Sequence, residues 1–126
     1  MVAEAMAEVP AVAPLEAARR READPRTLII DVRDAADIPA TGLIAGAAAI
    51  SLGSLTYKAD AEVPEEWRDP RLDDRSRPIL VTCYSGEMAA LGAKWLKDMG
   101  YTNVGLLAGG TVARKEAGLP METDGA

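Results

Sequence analysis

The sequence contains no histidine, no phenylalanine and only one cysteine among its 126 residues. Without histidine, it lacks the usual general acid and base of neutral-pH catalysis and the imidazole ligands of most catalytic zinc sites. The single cysteine, Cys83, cannot form an internal disulfide, and nothing in the sequence marks the chain for export. We therefore expect a cytoplasmic protein in a reducing environment. We expect neither a metal ion nor another cofactor.

Long apolar runs and basic clusters are also scarce. No stretch approaches the roughly 18 apolar residues that a membrane-spanning helix needs, so we expect no membrane association. The formal net charge of −6 argues against nucleic-acid binding, which requires a basic surface. The composition that remains is typical of one soluble globular domain, with 48% apolar residues and few aromatics.

The hydrophobic pattern alternates between strands and helices. Continuous apolar runs predict strands covered on both faces, at 27–32, 48–50, 78–83 and 103–107. Apolar spacing and flanking Pro and Gly residues predict helices at 15–23, 87–99 and 111–117. The strand–helix–strand order over 78–107 predicts a parallel sheet with a right-handed crossover. We expect this α/β domain to span 14–123 and to follow a disordered lead-in over 1–13.

The segment 54–78 is the least regular part of the sequence. It is densely charged and is interrupted by two prolines, which predicts a surface excursion with one helical turn around Glu65–Trp67. Tyr57 and Trp67 are the two aromatic side chains of this segment. We expect them to attach this segment to the body of the domain.

The segment that begins at Cys83 lies where a parallel sheet places its ligands. Such ligands bind beyond the carboxyl ends of the strands, and CYSGEM at 83–88 leads from a strand directly into a helix. Gly86 allows the backbone to curl so that its N–H groups point at the Cys83 side chain. Together with the helix N-terminus, they would form an anion nest that stabilises a thiolate or a terminal sulfur. A lone cysteine is usually a small buried apolar residue. The position of Cys83 at a strand end, before a glycine-containing turn, favours a reactive thiol, so the pattern alone leaves both interpretations open.

Four segments resemble the successive signatures of the single-domain rhodanese family. In the order in which the family has them, they are LIIDVRD at 28–34, GLIAGA at 42–47, CYSGEM at 83–88 and LAGGTVARKEAGLP at 107–120. The resemblance covers nearly all of 15–122. It implies an open parallel sheet of about five strands with helices on both faces, and a sulfurtransferase or persulfide carrier as the function.

The resemblance also assigns roles to residues around the cysteine. It implies that Cys83 is the catalytic nucleophile, which accepts a sulfane sulfur as a persulfide and passes it to a thiol or cyanide-type nucleophile. The substrate-binding loop that it implies comprises Tyr84, Ser85, Gly86, Glu87 and Met88. The expected partners are a small sulfane-sulfur donor, either thiosulfate or a persulfide, and a thiol acceptor or another sulfur-relay protein.

Two further residues, Asp31 and Arg33, are implied to brace the neighbouring loops. For Arg33 the alternative is a salt bridge at the end of a strand, with no role in the chemistry. Three positions depart from the family pattern, namely Leu43 for a usual His, Met88 for a frequent Arg, and Arg114 for a frequent aromatic residue. Because the loop lacks that cation, we expect weak thiosulfate:cyanide activity.

Two other functions compete with sulfur transfer. A non-catalytic rhodanese-like module could bind a partner protein or sense oxidants through Cys83. A cysteine-dependent phosphatase or arsenate reductase would need an Arg in its loop to hold the oxyanion. The segment 83–90 contains no Arg, so the sequence excludes this last class.

Overall fold

The computed structural model describes residues 1–122. In chain order, its helices and strands are α1 (Val2–Glu8), β1 (Ala11–Val12), α2 (Pro14–Ala23), β2 (Leu28–Asp31), β3 (Leu43–Ile44), β4 (Ala48–Ala49), α3 (Leu52–Lys58), β5 (Ile79–Thr82), α4 (Glu87–Asp98), β6 (Val104–Leu107), α5 (Gly110–Glu116) and β7 (Met121–Glu122). Short 3-10 helices lie at Ala35–Ala40, Glu65–Trp67 and Pro70–Leu72. Within residues 1–122, no helix has the length and apolar character needed to cross a membrane.

Five parallel strands form the central sheet, in the order β1-β6-β5-β2-β4. The registers place Ile30 of β2 beside Val81 of β5, and Val81 beside Leu106 of β6. The carboxyl ends of β2, β5 and β6 therefore lie at one edge of the sheet. This confirms the predicted α/β architecture with its parallel five-stranded sheet. A small antiparallel pair, β3 with β7, was not predicted.

The sheet is buried on both faces, as the continuous apolar runs predict. Alternate residues of β2 divide between two cores, since Leu28 and Ile30 join one cluster and Ile29 joins the other. The first core includes buried residues of α1, α3 and α4, and the second includes Ala17 of α2. Helices therefore cover both faces.

The N-terminal residues form a packed helix and strand, so the prediction of a disordered lead-in over 1–13 is wrong. Ala5 and Val9 are buried in the core that also contains Ala93 of α4. Lys97 donates a hydrogen bond from Nζ to the backbone oxygen of Glu8, at 3.0 Å. β1 then pairs with β6 and extends the sheet. Burial against α4 and pairing with β6 stabilise two elements that are too short to form alone.

The segment 54–78 is more regular than its sequence predicts. Its first residues belong to α3, which ends at Lys58. Ser51 is the N-cap of this helix. The side chain of Ser51 accepts a hydrogen bond from the backbone N–H of Ser54, as N-cap serines commonly do. The predicted helical turn at Glu65–Trp67 is present as a 3-10 helix.

The expected anchors of this segment are wrong. Trp67 and Tyr57 are 57% and 41% exposed, so neither attaches the segment to the body. Its attachment is made by buried Leu72 and by Arg75, whose Nη1 donates to the hydroxyl of Tyr101 at 2.5 Å. The Arg75 guanidinium also lies 4.3 Å from the centre of the Tyr101 ring. A cation over an aromatic face gives this contact a favourable electrostatic component.

Candidate active site

Cys83 lies directly after β5, at the carboxyl edge of the sheet, and is only 3% exposed. The backbone curls around its sulfur, because Gly86 has a φ of 121°, a conformation that favours glycine. The N–H of Gly86 donates to Sγ at 3.2 Å, and the N–H of Ala89 donates at 3.3 Å. The predicted nest is therefore present, and its second donor comes from the first turn of α4. Two such donors favour a negative charge on the sulfur.

The N-terminus of α5 holds this loop in place. Thr111 N–H donates to the carbonyl of Cys83 at 2.9 Å, and Val112 N–H donates to the carbonyl of Tyr84 at 3.1 Å. Helix N-termini carry free N–H groups that bind such acceptors. Because both carbonyls are held by α5, the loop cannot turn them towards the sulfur.

Gly110 makes this contact possible, a role that the sequence analysis missed. A Cβ at Gly110 would lie 2.4 Å from the Tyr84 oxygen and 2.6 Å from the Cys83 oxygen. Its φ of +64° is also in the left-handed region. The Gly109–Gly110 pair ahead of a helix was the available signal, since paired glycines commonly mark close backbone approach.

Asp31 and Arg33 form a buried ion pair beside the loop. Arg33 Nη2 donates to Asp31 Oδ2 at 2.7 Å and to the Gly42 carbonyl at 2.8 Å, while its Nε contacts both Asp31 oxygens. Nη1 donates to Thr41 Oγ1 at 2.8 Å. Arg33 therefore makes a salt bridge at the end of β2 and also holds the chain that follows the 3-10 helix 35–40.

The ion pair is connected to the cysteine loop through two hydroxyl groups. Thr41 Oγ1 and Thr111 Oγ1 are 2.7 Å apart, and Thr111 is fully buried. Hydrogen bonds thus run from Arg33 through both threonines to the element that binds the Cys83 carbonyl. No local sequence pattern indicates this network, because its two threonines are 70 residues apart.

An open cleft of about 460 Å³ lies over the cysteine. We call it the active-site cleft. Its lining comprises Arg33, Ala36, Asp37, Ala40, Cys83, Tyr84, Ser85, Glu87 and Met88. Four of the five predicted loop residues therefore face it with Cys83. Gly86 does not line it, and a Cβ there would lie 4.0 Å from Cε of Met6 in α1, so α1 reaches the loop from outside the cleft.

The active-site cleft carries acidic side chains. Ser85 donates a hydrogen bond from its hydroxyl to the Glu87 carboxylate, and this bond lowers the pKa of Glu87 below its ordinary value. Glu87 is therefore ionised at neutral pH, and Asp37 adds a second exposed carboxylate. Of the departures from the family pattern, Met88 lines the cleft, whereas Leu43 and Arg114 do not.

Arg114, on α5, stands where the family frequently has an aromatic residue, and its side chain is buried. It is 2% exposed, and its Nη2 donates to the Pro120 carbonyl at 3.1 Å. Burial, followed by the nearby positive charge of Arg21, lowers the pKa of Arg114. Its contacts attach α5 to the chain that leads into β7, so this departure affects packing.

Comparison with known proteins agrees with this geometry. The sequence model of the rhodanese-like domain matches residues 14–117, and the chain belongs to the rhodanese-like domain family. A thiosulfate sulfurtransferase, GlpE from Actinobacillus succinogenes, is 42% identical over 50 residues. That match covers 40% of this chain and 45% of the relative, so it spans less than half of the curated protein. It supports membership of a sulfurtransferase family.

Solved structures show the same fold over nearly the whole chain. A protein of unknown function from Rhodopseudomonas palustris, described as a possible tyrosine phosphatase, has a TM-score of 0.86 and 27% identity. The match covers 96% of this chain and 90% of that one. The polysulfide-sulfur transferase homodimer of Wolinella succinogenes has a TM-score of 0.76 and 27% identity, with 96% and 83% covered.

Proposed function

We propose that the protein is a rhodanese-type sulfurtransferase, or persulfide carrier, that takes a sulfane sulfur on Cys83. The observation that carries the proposal is the pair of backbone N–H groups on Sγ, at the base of an open cleft. A buried cysteine with only a packing role needs neither the donors nor access to solvent. The donors stabilise Sγ when it carries negative charge, as the attacking thiolate of the first step and as the leaving thiolate of the second.

The reaction that we propose has two displacements. In the first, the Cys83 thiolate attacks the sulfane sulfur of the donor, and the donor's S–S bond breaks. Its electron pair leaves with the donor, as sulfite from thiosulfate or as a thiolate from an organic persulfide. In the second, the acceptor attacks the outer sulfur of the Cys83 persulfide, and the electron pair of the breaking S–S bond returns to Sγ. Neither step requires a metal ion or an external oxidant.

The charges of the active-site cleft support an organic persulfide as the donor, with weak use of thiosulfate. Thiosulfate is a dianion, and Glu87 and Asp37 carry negative charge in the cleft. Met88 supplies no cation to offset them. A reducing cytoplasm would keep the single thiol available for a small persulfide and a thiol acceptor.

Mass spectrometry of the intact protein tests the proposal. The protein is incubated with an organic persulfide, separated from it, and then mixed with a thiol. We expect one added sulfur atom after the first step and its loss after the second, with no addition to Cys83→Ser. A Cys83→Ser protein that transfers sulfur at the native rate would contradict the assignment. If the native protein never gains sulfur, the result would instead support the alternative function, a non-catalytic rhodanese-like module.

A phosphatase activity, which the description of the Rhodopseudomonas palustris protein suggests for that protein, has no support in this site. Such enzymes need a free guanidinium near the cysteine to hold the phosphate oxygens. The segment 83–90 contains no Arg. Arg33 lines the active-site cleft, but its donors are already used by Asp31, Thr41 and backbone carbonyls.

A further inference from the structure

The active-site cleft offers no free cation to an anionic substrate. Arg33 is the single positively charged residue among the described residues that line it. Its Nε and Nη2 bind Asp31, and Nη2 also donates to Gly42. Its Nη1 donates to Thr41 and to carbonyls of the 3-10 helix 35–40. All five N–H donors of a guanidinium are thereby used, and Asp31 neutralises its charge.

The negative charges of the cleft have no such partners. Glu87 is exposed, and the structure gives its carboxylate only the hydroxyl of Ser85 as a side-chain partner within residues 1–122. Asp37 is also exposed and forms no salt bridge with another described residue. With Arg33 neutralised, the cleft has a net negative charge before any substrate enters. A persulfide on Cys83 would add another.

The remaining wall of the cleft is apolar and includes an aromatic ring. Tyr84 is 49% exposed and lines the cleft beside Met88, Ala36 and Ala40. An aromatic face attracts an ammonium group, and apolar side chains accommodate a short alkyl chain. Two carboxylates, one aromatic ring and a short apolar wall together favour a small molecule with a positively charged tail.

We propose, on the basis of the function proposed above, that the acceptor of the sulfur is a small aminothiol, whose tail carries an ammonium group. The acceptor's thiolate attacks the outer sulfur of the Cys83 persulfide and forms a new S–S bond. The bond between that sulfur and Sγ breaks, and its electron pair leaves Cys83 as a thiolate. The product is the persulfide of the aminothiol. The ammonium group lies beside Glu87 and Asp37 and does not react.

Three thiols that differ mainly in tail charge test this proposal. Cysteamine has a cationic tail, 2-mercaptoethanol a neutral one and mercaptoacetate an anionic one. Rates of sulfur removal from persulfidated Cys83 are measured for each and expressed per thiolate. We expect cysteamine to be fastest and mercaptoacetate slowest, with a ratio on the order of ten-fold at low salt. Added salt should reduce this ratio, since exposed charges are screened.

Matched variants separate the cleft from the net charge of the protein. Glu87→Gln should reduce the cysteamine:mercaptoacetate ratio about two- to five-fold. Glu66→Gln removes the same charge from the segment 54–78, outside the cleft, and should leave the ratio unchanged. Tyr84→Phe keeps the ring and should keep the ratio, whereas Tyr84→Leu should lower the rate for cysteamine selectively. Each ratio compares two rates measured on the same variant, so it does not depend on the fraction of active protein.

The possible outcomes distinguish this inference from the function on which it rests. Equal rates for the three thiols, or a faster mercaptoacetate, would overturn the aminothiol and leave the sulfurtransferase in place. If Cys83 gains no sulfur, the proposed sulfurtransferase function and the proposed aminothiol acceptor are both wrong. In that case the preference for a cation is measured directly, from the rates at which Cys83 reacts with methanethiosulfonate reagents carrying ammonium or sulfonate tails. A faster sulfonate reagent would refute the charge argument itself.

Discussion

Replacing Gly110 with Ala tests whether α5 shapes the cysteine loop. The new Cβ would lie 2.4 Å from the Tyr84 oxygen and 2.6 Å from the Cys83 oxygen, so the two segments must separate. The hydrogen bonds from Thr111 and Val112 would then be lost, at about 0.5–1.5 kcal/mol each. The left-handed φ of position 110 adds about 1–2 kcal/mol for any residue with a Cβ. We expect the free energy of unfolding to fall by about 2–5 kcal/mol in all.

Gly118→Ala is the matched control. Gly118 follows the same helix with a φ of +74°, and a Cβ there would meet no atom within 4 Å. This variant should therefore lose only the backbone contribution of about 1–2 kcal/mol. Urea unfolding gives the stability of both variants, and the rate of alkylation by iodoacetamide reports on Cys83. We expect slower alkylation and slower sulfur uptake in Gly110→Ala alone. Equal losses of stability, with native Cys83 reactivity in both, would refute the role of α5.

Three further variants test the surroundings of the cysteine. Gly86→Ala should slow sulfur uptake without unfolding the domain, because a φ of 121° is unfavourable for alanine; native uptake with unchanged circular dichroism would argue against the nest. Asp31→Asn should cost about 3–5 kcal/mol in urea unfolding, because it leaves the Arg33 charge buried without its partner; a loss under 1 kcal/mol would mean that solvent reaches Arg33. Met88→Arg with Glu87→Gln should raise turnover of thiosulfate relative to an uncharged persulfide, with a gain that salt erodes; an unchanged donor ratio would show that loop charge does not select the donor.

The sequence predicts the central part of this fold because its elements are locally encoded. The runs at 28–30 and 79–81 contain only Leu, Ile and Val, which is typical of strands that are covered on both faces. The helix at 87–99 carries its own apolar periodicity and is followed by Gly100. These signals lie within a few residues of one another, so no knowledge of distant contacts is needed to interpret them.

The elements that the sequence analysis missed depend on distant contacts. α1 has seven residues and no side-chain cap, and helices of that length are marginal in isolation. Its stability comes from Ala5 and Val9 in the core shared with α4. β3 and β7 have two residues each and pair across almost 80 positions of sequence. Neither element has enough periodicity of its own to be recognised.

The candidate site likewise has a part that is encoded locally in the sequence and a part that depends on distant contacts. The position of Cys83 and the curl at Gly86 follow from a strand end, a glycine and a helix start that are adjacent in the sequence. The second N–H donor, at Ala89, follows only from the geometry of the first helical turn. Gly110 and the pair Thr41 and Thr111 come from two other segments. Their contributions become visible only when those segments meet at the edge of the sheet.

Arg33 illustrates why residue type alone does not determine what a cleft binds. A guanidinium in the lining of a cleft is ordinarily the group that recognises an anion. Here the carboxylate of Asp31, two residues earlier, uses Nε and one donor of Nη2, and the backbone and Thr41 use the others. The guanidinium that could attract a dianion is thus neutralised by Asp31, and its N–H groups hold the neighbouring loops together. Glu87, whose residue type does not suggest a role in sulfur chemistry, is left to set the electrostatic character of the entrance to Cys83.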